Sequence, residues 1–199
     1  MPRAPEAPGS AAEPARGPVR TFFALWPDAG AGEALAALAH DIAARSQGRA
    51  TAAGNLHMTL AFLGDVATTR IGTLGEIGAA AASDVPPFAL ALDRIGTFRG
   101  AGIAWAGTST PPAGLLQLVR RLGEALSASG FAIEQRAFHP HVTLARRCRR
   151  PGADAAAAPI AWTVARLSLN VSERSSAGPR YRELAGWPLG ARPAREVTA

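Results

Sequence analysis

Two of the four histidines stand in the same local setting: His57-Met58-Thr59-Leu60 and His141-Val142-Thr143-Leu144. Imidazole titrates near neutrality, so a pair can hold opposite protonation states, one accepting a proton while the other donates. A threonine hydroxyl two places on can donate to a non-bridging phosphate oxygen, and β-branching restricts its rotamers. In-line opening of a cyclic phosphodiester uses this set. A base activates water, an acid protonates the departing sugar oxygen, and fixed donors stabilise charge on the phosphoryl oxygens. No metal is required.

The spacing fits strands. Side chains alternate faces along a strand, so Met58, Leu60 and Phe62 are expected on one face and His57 and Thr59 on the other. Val142 and Leu144 repeat the apolar side, and His141 and Thr143 the polar one. Imidazole and hydroxyl then lie about 6–7 Å apart along each strand, and two such strands can surround one pocket.

Strands are read at 19–26, 57–63, 88–95, 103–107, 141–145, 162–171 and 181–187, and helices at 32–45, 68–82 and 113–129. The third helix carries Leu115, Leu118, Val119, Leu122 and Leu126 on one face, with Gly130 as its stop. The stretch 153–159 reads as a loop. Helices and strands interleave, which gives a mixed α/β or α+β domain. Each half has an apolar strand, a helix and a strand bearing His-x-Thr-Leu, so a pseudo-twofold with both motifs facing one cleft is expected.

Composition narrows the chemistry. Residues 1–18 are rich in Pro, Ala and Gly without an apolar core, which predicts a disordered tail rather than a secretory signal. A folded domain is expected over 19–190 and a short tail over 191–199. No apolar run approaches the roughly 20 residues of a membrane span, so no membrane contact and a cytoplasmic location are expected. The single cysteine, Cys148, allows no internal disulfide. Among 21 cations there is no lysine, which excludes lysyl intermediates and P-loop chemistry. The net charge of +6 favours polyanionic partners.

Other residues keep two readings. Arg146 either grips phosphate or is a solvated strand end. The run Arg146 to Arg150 suits an RNA backbone. His139-Pro140-His141 is an HxH that a metal could use, but no acid or Cys lies near it and the first motif has no match. His139 either lines the cleft or caps its strand. Phe22, Phe23 and Phe62 could stack bases, although the alternation assigns Phe62 to the core.

These motifs carry a resemblance. The chain resembles the 2H phosphoesterase superfamily, and within it the bacterial RNA 2′,3′-cyclic phosphodiesterases, also called 2′-5′ RNA ligases. The likeness runs from Arg20 to about Trp187, through Phe22-Phe23-Ala24-Leu25, residues 55–64, residues 138–146, Ser172 and the Tyr181 region. It implies an α+β fold of two pseudo-symmetric lobes, with antiparallel sheets lining a central cleft and helices outside. It implies hydrolysis of a terminal 2′,3′-cyclic phosphate to a 2′-phosphate, with His57 as proton donor, His141 as proton acceptor, and Thr59 and Thr143 on the phosphate. It implies no cofactor. The partners implied are RNA ends or nucleoside 2′,3′-cyclic phosphates, and a monomer is expected. ATP-independent 2′-5′ joining is the same ring opening with a ribose hydroxyl in the place of water. A phosphoesterase acting on a small cyclic nucleotide and a non-catalytic RNA-binding module are the competing readings.

Overall fold

The computed structural model describes residues 17–191 except 135, 151, 153, 176 and 177. Residues 1–16 and 192–199, and with them most of the two expected tails, lie outside the described residues. The element order is β1 (Val19–Leu25), α1 (Ala29–Ser46), β2 (Arg49–Ala50), β3 (Met58–Val66), α2 (Ile71–Ser83), β4 (Phe88–Phe98), β5 (Ile103–Gly107), α3 (Ala113–Ala128), β6 (His141–Arg146), β7 (Ala155–Val164), β8 (Arg166–Ser175) and β9 (Gly178–Pro188).

The strands run β7-β4-β5-β6-β3-β1-β8-β9, every pairing among the described residues is antiparallel, and β2 adds to β6. Two four-stranded halves therefore meet where β3 touches β6. That seam is a single bridged pair, Met58 opposite Val142. The two expected lobes are present, and the strands carrying the motifs are the ones that join them.

The repeat is visible as β1-α1-β3 and β5-α3-β6, and its helices are exchanged. The helix of the first unit, α1, packs on β6, and the helix of the second, α3, packs on β3. Leu35 and Ala39 of α1 and Leu115, Leu118, Leu122 and Leu126 of α3 are buried in the core behind the sheet. Asp28 caps α1 by accepting from the Ala31 amide, and its second oxygen accepts from the Thr163 amide, which ties α1 to β7. Gly130 ends α3 at φ 71, where only glycine is at ease, and Phe131 N–H returns to Leu126 O.

Two expectations are corrected. Residues 155–159 form strand, not loop: they open β7, which pairs with β4. Four consecutive alanines hide it, because alanine has little strand preference, and Pro159 is tolerated because β7 is an edge. The expected strand 162–171 is two strands broken at Ala165. The slip in its alternation marks where the chain leaves one half of the sheet, on β4, for the other, on β1.

Candidate active site

Because Met58 and Val142 are both fully buried, their neighbours face the other way, into the cleft. Continuing the antiparallel register sets His57 across from Thr143 and Thr59 across from His141. All four side chains line one cleft of about 890 Å³.

Each imidazole is held by the carbonyl two residues before it. His57 Nδ1 lies 2.7 Å from Asn55 O, and His141 Nδ1 lies 2.7 Å from His139 O. A carbonyl oxygen can only accept, so both Nδ1 atoms carry the proton and both Nε2 atoms are left as the reactive nitrogens. Thr59 Oγ1 sits 3.1 Å from His57 Nε2 and donates to it when the ring is neutral. Asn55 is itself anchored, its Nδ2 donating to Pro179 O at 2.9 Å.

The surroundings differ. His57 sits in an aromatic cage, with Trp26 and Tyr181 at 4.9 Å and Phe22 at 5.1 Å between ring centroids. Desolvation there lowers its pKa to about 4, and Arg146 and His141 push the same way. His141 has Phe98 edge-on at 5.1 Å, and its pKa is lowered as well, chiefly by burial.

Beyond the motifs the cleft is basic. Arg20, Arg49, Arg146 and Arg147 line it, and no described lining residue is an Asp or Glu. Arg146 is thus a cleft residue, near enough to both histidines to lower both pKa values. Cys148 is buried against Ser46, outside the lining. His139 packs edge-on against Trp105 at 4.6 Å and lines a second groove that shares Thr59, Phe62, Phe98 and His141 with the first. Among the described residues no three His, Cys, Asp or Glu side chains gather as a metal site would need.

Phe62 overturns the expectation that it packs with Met58 and Leu60. It is 42% exposed in the cleft, with the Arg20 guanidinium 4.6 Å from its ring centroid. A β-bulge is the reason. Ala24 pairs with Thr59 and Phe23 with Ala61, so Leu60 is the extra residue and the alternation flips beyond it.

With this geometry in view, residues 26–175 match the model of the 2′-5′ RNA ligase superfamily. The chain belongs to that superfamily. It is 35% identical over 147 residues to the RNA 2′,3′-cyclic phosphodiesterase of Escherichia coli (strain K12), covering 71% of this chain and 80% of that protein. It is 37% identical over 143 residues to the RNA 2′,3′-cyclic phosphodiesterase of Geobacillus stearothermophilus, covering 67% of this chain but 45% of that protein. The solved structure of E. coli LigT complexed with 3′-AMP superposes with a TM-score of 0.79 at 31% identity, covering 87% of this chain and 99% of that one. The same protein complexed with NADP+ gives 0.77 at 31% identity, with the same coverage.

Several residues of the cleft are not legible as site residues from the motifs. Asn55 acts through its backbone carbonyl, and Arg20 and Arg49 carry no motif. Tyr181 reaches His57 from a hairpin 124 residues further along, where only the resemblance pointed to it. A signal exists for Arg20: it shares strand parity with Phe22 on β1.

Proposed function

We propose that the chain hydrolyses RNA 2′,3′-cyclic phosphate ends to 2′-phosphates by two-histidine acid–base catalysis. One observation carries this reading: two imidazoles locked by equivalent carbonyl bonds point Nε2 into a single basic cleft, in a chain of this superfamily.

The cyclic phosphate binds between the motifs. Thr59 and Thr143 donate to its non-bridging oxygens and Arg146 balances its charge. His141 Nε2 takes a proton from the attacking water. His57 Nε2–H gives one to the 3′ oxygen as the P–O3′ bond breaks, which leaves the phosphate on O2′. In the free protein His57 is neutral at pH 7. The arriving anion raises its pKa and supplies the protonated form, because an opposite charge close by favours the charged state. A ribose 5′-hydroxyl attacking in place of water opens the ring by the same step and joins ends 2′-5′ without ATP, and the second groove beside His141 offers space for that second strand. A cytoplasmic monomer completes the reading: the one cysteine is buried and free, and among the described residues no helix is long and apolar enough to cross a membrane.

The deciding experiment is turnover of nucleoside 2′,3′-cyclic phosphates and a short RNA ending in one, in EDTA. Formation of the 2′-phosphate, lost in His57→Ala and in His141→Ala, is expected. Full activity in the doubly substituted protein overturns the assignment.

A further inference from the structure

Arg146 and Arg147 are consecutive, yet both line the cleft. Extended backbone would send them to opposite faces. Arg147 instead has φ 56, a left-handed conformation that non-glycine residues rarely hold. The chain around it is clamped. Cys148 N–H donates to Gly102 O at 2.9 Å, and Cys148 Sγ accepts from Ser46 Oγ at 3.3 Å. The amides of Arg149 and Arg150 both donate to Ser46 O at 3.0 Å. Gly48 closes the clamp, since a Cβ there would lie 2.9 Å from Cys148 Sγ and 3.0 Å from Arg146 O. The result doubles the arginines at one point of the wall, beside Arg49, which pairs with Arg146 across β2 and β6.

Six arginines outside the cleft are matched by acids: Arg45, Arg120, Arg121, Arg136, Arg166 and Arg182 each form an ion pair. Among the described residues no carboxylate pairs with Arg146 or Arg147. Arg146 lies close enough to both histidines to serve the reacting phosphate. Arg147 is then a second cation in the same wall, with a phosphate of its own to bind. On a strand that ends in a 2′,3′-cyclic phosphate, every other phosphate lies on the 5′ side, and the first of these is the 5′ phosphate of the terminal nucleotide.

We propose that Arg147, with Arg49, forms a subsite for the 5′ phosphate of the terminal nucleotide. It makes the cleft prefer polynucleotide ends over free nucleoside 2′,3′-cyclic phosphates. This rests on the proposed function and adds a specificity-determining residue to it. A guanidinium matches two phosphate oxygens at once, and a hydrogen bond to a charged group corresponds to about a tenfold effect or more.

The test compares kcat/KM for three substrates: adenosine 2′,3′-cyclic phosphate, its 5′-phosphorylated form, and a short RNA ending in a 2′,3′-cyclic phosphate. The wild-type chain is expected to favour the two that carry a 5′ phosphate. The variant of choice is Arg147→Gly, because glycine accepts φ 56 without strain and the fold is preserved. The preference ratio should fall about tenfold, and the salt dependence for RNA should flatten by about 0.7 in logarithmic slope. Arg149→Ala, outside the cleft lining, should keep the ratio. Good turnover of all three substrates without preference, or a ratio that survives both Arg147→Gly and Arg49→Ala, overturns the subsite alone. Absence of turnover on all three overturns the proposed function and the subsite with it.

Discussion

Met58 and Val142 face each other across the only bridged pair that joins the two halves of the sheet among the described residues, and both are fully buried. The pseudo-twofold passes between them, so this contact sets the spacing of the two histidines that flank it. Met58→Ala is expected to cost about 2–5 kcal/mol through the cavity it opens. It should also lower kcat of the folded fraction. Leu122→Ala, buried in α3 and outside the bridged pair, should cost a similar amount without that loss. Denaturant titration and active-site-normalised kcat on both variants check the difference; equal kcat in the two would show that the seam does not set the geometry.

The histidines act as a unit. Each single alanine substitution is expected to lower kcat by about 10²–10⁴. The double variant should be little worse than the poorer single one, because removing either partner already breaks the proton relay. A multiplicative loss would mean that the two act independently.

Much of this was legible from residues 57–60 and 141–144, because imidazole and hydroxyl at period two on an apolar strand need little context to be read. The third helix was legible for the same reason, its leucines falling at helical spacing. What stayed hidden is what no local period encodes. The Asn55 and His139 carbonyls belong to the backbone. Tyr181 comes to His57 from the far end of the chain. Alternation alone assigns Phe62 to the wrong face because one bulge at Leu60 resets it, and the opening of β7 stays hidden because alanines on an edge strand carry no pattern.

The pH profile follows from the aromatic cage. Both histidine pKa values lie below the ordinary 6.5, that of His57 at about 4. The limbs of kcat/KM report the free protein, so its maximum should lie on the acid side of 6.5. The maximum of kcat should lie higher, because the bound anion raises both values. Tyr181→Ala removes one wall of the cage and should move the His57 titration, followed by NMR, up towards 6.5. A midpoint unchanged at about 4 would show that Tyr181 does not desolvate the ring.

Stability should carry the same signature. The unfolded chain binds a proton at His57 near pH 6.5 and the folded chain only near 4. Between those values the unfolded state holds more protons, so stability rises with pH. It is fully present above 6.5 and is lost as pH falls towards 4. Denaturant midpoints at pH 7 and pH 4.5 should differ more in the wild type than in His57→Gln. An equal difference would place the acid sensitivity elsewhere.

Gly96 tests whether His141 is held from a distance. It pairs with Trp105 across β4 and β5, and a Cβ there would fall 2.1 Å from the indole. That indole packs against His139 at 4.6 Å and Phe98 at 5.7 Å between centroids. Phe98 in turn meets the His141 ring edge-on, and the His139 carbonyl orients its Nδ1. Gly96→Ala must therefore displace the indole, at a cost of about 1–3 kcal/mol. The displacement should reach His141 through both neighbours. We expect kcat to fall and the His141 resonances to shift while those of His57, on the other half of the sheet, stay in place. Indole fluorescence reports whether the ring has moved. A moved indole with unchanged kcat would show that His141 is oriented by its own strand alone.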